Sequence, residues 1–253
     1  MSRRCSTIAV STRGCSANMV FTPTRRRGHE ILDDPASDPV LAERSLRDVA
    51  LANLLFGGRQ AILREVREVL SHIPAGSPLH LLDIGTGMGD IPRAAQRVAA
   101  RDHRPLSTIG LELAPALAHV ARRVCTHAVA GNALALPFAD ASIDIVTCSQ
   151  VLHHFEDHTA ECLLRECTRV ARRAVIVGDL RRSWLAVAGL WSSSFVLGFH
   201  PVSRHDGVVS ILRGYTRTEL STLIARATGH RAAVRHALGW RVTATWFPDI
   251  PLS

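Results

Sequence analysis

The chain contains no lysine: its thirty basic residues are all arginine. A phosphate loop that sets a lysine against the β- and γ-phosphates is therefore excluded. Six cysteines (Cys5, Cys15, Cys125, Cys148, Cys162 and Cys167) form no C-x-x-C pair and no zinc-like spacing. That pattern excludes a sequence-evident disulfide or zinc framework and leads us to expect reduced thiols in the cytoplasm. Aromatic residues are scarce at 5%, with a single tyrosine, Tyr215. No apolar run reaches the ~20 residues of a membrane-spanning helix. The longest, Trp184–Phe199, is interrupted by Ser192-Ser193-Ser194. Arg3-Arg4 is not followed by an apolar stretch long enough for an export signal.

The formal charge of +8 is concentrated at one end. Six arginines (Arg3, Arg4, Arg13, Arg25, Arg26 and Arg27) precede Glu30 with no acid among them, and the rest of the chain carries 24 arginines against 22 acids. The body is thus nearly neutral and lacks the basic footprint of a nucleic-acid binder. Residues 1–28 are expected to form a disordered basic tail.

From Asp38 to Ile73 apolar residues recur at helical spacing, broken at Gly57-Gly58, which predicts helices over 38–56 and 59–72. Residues 29–75 read as a helical N-terminal cap and 76–253 as the main domain. Strand-like and helix-like segments then alternate: Leu79–Ile84, Ile91–Ala100, Ser107–Leu113, Ala114–Val124, His127–Ala130, Ile143–Cys148, Thr159–Ala171 and Ala174–Gly178. Such alternation predicts an α/β, Rossmann-like, mostly parallel sheet. After a predicted helix at Thr216–Ala227, Arg231–His236 and Arg241–Phe247 are separated by four residues. So short a link makes them an antiparallel terminal hairpin and brings the sheet to seven strands. Residues 180–215 are an insertion after strand five. Its apolar part is expected to be a buried helix or lid, with a greasy substrate wall or a weak membrane-surface contact as the sharper readings.

The first strand runs into Asp83-Ile84-Gly85-Thr86-Gly87-Met88-Gly89-Asp90. Alternating glycines let backbone approach a ligand closely, and the following helix presents its N–H groups there. A dinucleotide fingerprint would need its third glycine at position 90, which is Asp90. Glu112 ends the second strand, where a carboxylate can accept both ribose hydroxyls of an adenosine.

These residues resemble the class I S-adenosylmethionine-dependent methyltransferases. The resemblance continues through Gly131-Asn132-Ala133, through Leu136-Pro137-Phe138-Ala139-Asp140-Ala141-Ser142-Ile143-Asp144-Ile145-Val146, and through Val151-Leu152-His153-His154-Phe155. It spans about residues 79–180. Asn132 stands where the family usually has aspartate, and Ile143 where it has phenylalanine. Flanking segments, including Glu30–Pro35, Ser45–Asp48, Gly178–Arg182 and Arg204–Gly207, are similar to bacterial methyltransferases acting on polyketide- or quinone-like phenols.

The resemblance implies S-adenosylmethionine as cofactor. Its binding set would be Asp83, Gly85, Thr86, Gly87, Gly89, Glu112, Leu113, Asn132, Ala133 and Ser149. Leu113 and Ala133 would sandwich the adenine. Arg59 is a candidate partner for the cofactor's carboxylate. A phenolic acceptor needs a proton acceptor, and histidine suits that task. His154 is the first candidate and His153 the second, against local packing as the plain alternative. Some quinone-pathway relatives bind a metal at this junction. Here the matching positions are Gln150, His153 and His154, which lack the carboxylates a magnesium-like ion prefers, so no metal is expected. His200, Arg204 and His205 are candidate substrate residues, and Asp179 ends strand five at the ligand edge. The expected function is O-methylation of a small, hydrophobic phenol or quinol. The alternatives are C-methylation of a quinone or polyketide ring, nicotinamide-dependent oxidoreduction, and a non-catalytic scaffold. A small-molecule acceptor and no nucleic-acid partner are expected, and the oligomeric state is left open.

Overall fold

The computed structural model describes residues 22–31 and 38–248. Seven strands form one sheet: β1 (Leu79–Ile84), β2 (Leu106–Glu112), β3 (His127–Ala130), β4 (Ile143–Ser149), β5 (Ala171–Leu180), β6 (Ala233–Ala237) and β7 (Arg241–Trp246). Their order is β3-β2-β1-β4-β5-β7-β6, with β7 antiparallel to both neighbours and every other pairing parallel. The chain reverses direction across the sheet between β1 and β4, and such a switch point opens a crevice at the carboxyl ends of the strands.

Successive strand residues point to opposite faces, so a sheet covered on both sides reads as an unbroken apolar run. Leu81, Ile145 and Ile176 face one layer, packed by α2 (Gly58–Ser71) and α3 (Asp90–Arg101). Leu82, Val146, Val175 and Val177 face the other, packed by α5 (Asp157–Val170) and α8 (Arg217–Thr228). The short α4 (Pro115–Ala121) lies beside β2 and β3. A capping box between Thr216 and Glu219 starts α8, and Gly229 ends it at φ +74°.

Three helices stand over the carboxyl edge of the sheet. They are α1 (Pro39–Leu55), α6 (Trp184–Val196) and α7 (Pro201–Arg213), the last two being the insertion. The N-terminal cap therefore divides: α1 packs on α7, whereas α2 belongs to a sheet layer because its apolar stripe (Ile62, Val66, Val69, Leu70) is fully buried there.

Residues 1–21 of the expected tail lie outside the described residues. Order begins sooner than expected, because residues 22–31 are pinned as an extended strap. Arg182 donates to the Pro23 carbonyl (2.8 Å), the Arg25 guanidinium lies 4.0 Å over the Tyr215 ring, and Arg213 donates to the Gly28 carbonyl. Of the arginines in this stretch, Arg25 is engaged in these contacts, while Arg26 and Arg27 are exposed.

β5 begins three residues earlier and ends two later than expected. It follows α5 without a loop, and Gly178–Leu180 pair with Thr243–Arg241 of β7. Among the described residues no helix is long and apolar enough to cross a membrane.

Candidate active site

A cavity of about 810 Å³ lies between the carboxyl edge of the sheet and the three covering helices. One end is the glycine loop. Gly85, Gly87 and Gly89 have φ of +63°, +54° and +69°, a region that favours glycine. A Cβ on Gly85 would come within 2.4 Å of Val151 Cγ2, so this glycine also admits the segment after β4. A Cβ on Gly87 would meet only Leu46 of α1, at 3.6 Å. Gly89 does not line the cavity. It caps α3 and packs on Val124.

Two buried carboxyls face this end. Asp83 accepts from Thr147 Oγ1 at 2.7 Å, and burial pushes its pKa up to about 7 against the hydroxyl bonds of Thr147 and Thr86. Glu112 accepts from the Gly87 N–H at 2.5 Å, and burial raises its pKa above the usual carboxylate value. Thr86, Leu113, Asn132, Ala133 and Ser149 complete the expected set on the cavity wall. Leu113 is 74% exposed at the rim. The Asn132 side-chain oxygen accepts from the Leu134 N–H at 2.9 Å, so it shapes its own loop. A bare glycine cradle with buried carboxyls beside it suits a nucleoside bearing positive charge. The pyrophosphate-type glycine is lacking, since Asp90 is the first residue of α3.

A further part of the cavity wall is built around histidine. A single 3-10 turn, Leu152–His154, follows β4. Asp179, at the end of β5, accepts from the His153 backbone N–H (3.0 Å) and lies 2.6 Å from the ring Nδ1. Burial pushes Asp179 up, but the charge and hydrogen bond of His153 outweigh it and hold the carboxyl below its ordinary value. The ring Nε2 of His153 is buried without a hydrogen-bond partner and faces Glu30 Oε1 at 3.8 Å. His154 is exposed, its ring 4.3 Å from that of His153 and its Nδ1 3.7 Å from Glu30 Oε2. The His153 ring lies within hydrogen-bond distance of a buried carboxylate, Asp179, and both histidines lie beside Glu30.

Sequence reasoning missed Glu30 as a site residue. It arrives on the strap from over 120 residues away, held by Arg213 and Ser210, each at 2.9 Å. Glu30, His153 and His154 bring one donor atom each to within 4.8 Å of one another. The Arg213 guanidinium on Glu30 adds positive charge there and works against a cation.

Also on the wall, Gln150 (φ +56°) bonds Asn53 of α1 and accepts from Arg241 Nη1 of β7 at 3.0 Å. Ala42, Leu46 and Val49 of α1, Ala186 and Leu190 of α6, and Phe199 and Ile211 make the remaining wall largely apolar. The three candidate substrate residues are elsewhere. His200 caps α7 through Val202 N–H, Arg204 lies over the Phe195 ring, and His205 is an exposed partner of Asp206. The cavity side of α7 is instead Ser203, Asp206, Gly207 and Ser210, one helical face. Arg59 does not line the cavity, and its charge acts on Asp90.

Comparison with known proteins agrees with this geometry. A family model described as a methyltransferase domain matches residues 82–177. A demethylmenaquinone methyltransferase of Deinococcus radiodurans is 30% identical over 201 residues, covering 72% of this chain and 78% of that protein. Among solved structures, an S-adenosylmethionine-dependent methyltransferase of Thermotoga maritima aligns with a TM-score of 0.53 at 18% identity, over 83% of this chain and 98% of that one. Magnesium protoporphyrin IX methyltransferase of Synechocystis, solved with S-adenosylhomocysteine, aligns with a TM-score of 0.50 at 14% identity, over 85% and 89% of the two chains. These two likenesses concern the fold.

Proposed function

This chain belongs to the class I S-adenosylmethionine-dependent methyltransferases, and we propose that it methylates a ring hydroxyl of a hydrophobic phenol or quinol. Family membership sets the nicotinamide alternative aside. The observation that carries the acceptor reading is the buried His153–Asp179 pair, which lines the cavity and whose Nε2 has no hydrogen-bond partner.

When bound, the cofactor supplies an electrophilic methyl group on a sulfonium sulfur. Asp83 and Glu112 with the glycine loop would hold it, the first by charge and the second by its carboxylate toward ribose. His153 Nε2 would take the proton of the acceptor hydroxyl as the oxygen forms its bond to the methyl carbon, the carbon–sulfur bond breaking so that its electron pair leaves with a neutral thioether. Asp179, bonded to Nδ1, fixes the ring and stabilises the imidazolium that results. Alignment of the acceptor supplies much of the acceleration, because displacement at a good leaving group needs little else. The apolar wall of α1, α6 and α7 holds the remainder of the acceptor.

Transfer to a ring carbon is the second reading. It is favoured by the name of the Deinococcus relative, which gives a quinone-class acceptor. The same base would serve, since ionising a ring hydroxyl makes the ring carbons more nucleophilic. The outer face of α6 supports a weak contact with a bilayer carrying such an acceptor: Trp191, Phe195 and Val196 are 51%, 56% and 87% exposed on a helix with no charged residue. Incubation with methyl-labelled cofactor and a panel of alkylated phenols, quinols and their methyl ethers tests the assignment. Label on oxygen supports the first reading and label on carbon the second. Label on none of them, with transfer to amines instead, would refute both.

A further inference from the structure

Arg241 is a buried charge without a counter-charge. It opens β7, pairs with Leu180 of β5, and lines the cavity while being only 5% exposed. Its contacts are with neutral groups: Nη1 donates to Gln150 Oε1 at 3.0 Å and Nη2 reaches Asn53 Oδ1 at the limiting distance of 3.5 Å. Nε is sealed and has no partner. The start of α2 closes over it, since a Cβ on Gly58 would be 3.3 Å from Nε. Among the described residues no carboxylate pairs with this guanidinium. The nearest candidate, Asp179, already accepts from the His153 ring, the His153 N–H and the Leu180 N–H. Burial drives the Arg241 pKa down to about 10, with Asp179 opposing. A fold that buries a lone cation in a ligand cavity leaves its neutralisation to the ligand.

We infer that Arg241, presented by Gln150 and Asn53, is the subsite for a carboxylate group of a bound ligand. The planar fork of a guanidinium matches a carboxylate with two parallel hydrogen bonds, and the negative charge supplies what a neutral carbonyl would not. Two ligands could bring that group: the aminoacyl end of the cofactor, or an acceptor that is an aromatic acid. The second source rests on the acceptor reading above, whereas the first needs only the cofactor. In the first case the assignment moves the cofactor's carboxylate from Arg59, outside the cavity, to Arg241, on its wall.

Calorimetry on the intact protein separates the sources. One arm compares S-adenosylmethionine with its decarboxylated analogue. The other, with S-adenosylhomocysteine saturating, compares 2,4-dihydroxy-6-alkylbenzoate with the matching 5-alkylresorcinol. The wild-type protein is expected to favour the carboxylated member of one pair by tenfold or more. R241M should erase that preference and leave the other pair unchanged, and R241K should keep part of it. Loss in the first arm places the cofactor's carboxylate at Arg241, and loss in the second places the acceptor's. Absence of any preference in wild type, or a preference that survives in R241M, overturns the inference. Should R241M not fold, R241K decides: a ratio equal to that of wild type in both arms overturns it equally.

Discussion

Asp83 makes cofactor affinity depend on pH in a way few other residues here would. In the folded protein its pKa is about 7, raised chiefly by burial, so between pH 6 and 8 it passes from mostly protonated to mostly ionised. A cationic cofactor binds the ionised form better. Affinity should therefore fall on acidification, by roughly tenfold from pH 8 to pH 6, equivalent to about 1.4 kcal/mol. The sign for folding is opposite. The native state holds this proton more tightly than the unfolded chain, so Asp83 contributes no cost below pH ~4 and its full cost above pH ~7. Calorimetric titration of S-adenosylmethionine at pH 6, 7 and 8, on wild type and D83N, measures both effects. The variant keeps an oxygen to accept from Thr147 but cannot ionise. It should bind weakly at every pH, retain only the ligand's own titration, and melt higher than wild type at pH 8. Equal affinities at pH 6 and 8 in wild type, or the same slope in D83N, would refute the reasoning.

Glu112→Gln should weaken S-adenosylmethionine binding by about 1.5–3 kcal/mol, the range for a charge-assisted bond, with little change in melting temperature; calorimetry reads the first and a thermal melt the second. Gly85→Ala places a Cβ against Val151 at φ +63°, so it should cost stability by at least ~1–3 kcal/mol from backbone strain alone, read by denaturant unfolding. Val151→Ala in the same chain should return only the clash component. Trp191→Glu with Val196→Glu should abolish co-sedimentation with phosphatidylglycerol vesicles and leave S-adenosylhomocysteine affinity untouched; equal sedimentation of wild type and variant would show that the α6 face does not meet lipid.

Much of the fold was legible because local signals agreed. The Gly57-Gly58 break, the glycine loop and the three-residue link between Ala237 and Arg241, with Gly239 in it, each mark an element end with residues that helix and strand interiors disfavour. The cofactor side was legible for the same reason, since a strand, a loop and the next strand's end lie within one βαβ unit. The acceptor side was not, because it is assembled from distant segments. Glu30 sits in a stretch whose arginines read as solvated, and only Tyr215, Arg182 and Arg213 reveal what pins it. His153 and Asp179 are both visible in sequence, yet adjacency of β4 and β5 is what makes them a pair. His200, Arg204 and His205 looked like site residues beside an apolar run. The helical phase of α7 turns Ser203, Asp206 and Ser210 inward instead. Arg241 lies in a hairpin that offers no motif at all.

The proposed methyl transfer turns on His153 as proton acceptor in the cavity. Single-turnover transfer from methyl-labelled S-adenosylmethionine to an alkylated phenol, with product resolved by mass, should slow by about 10²- to 10⁴-fold in H153N. Cofactor affinity should be unchanged, and D179N should fall between H153N and wild type. H153N that methylates the same oxygen at the wild-type rate would contradict it.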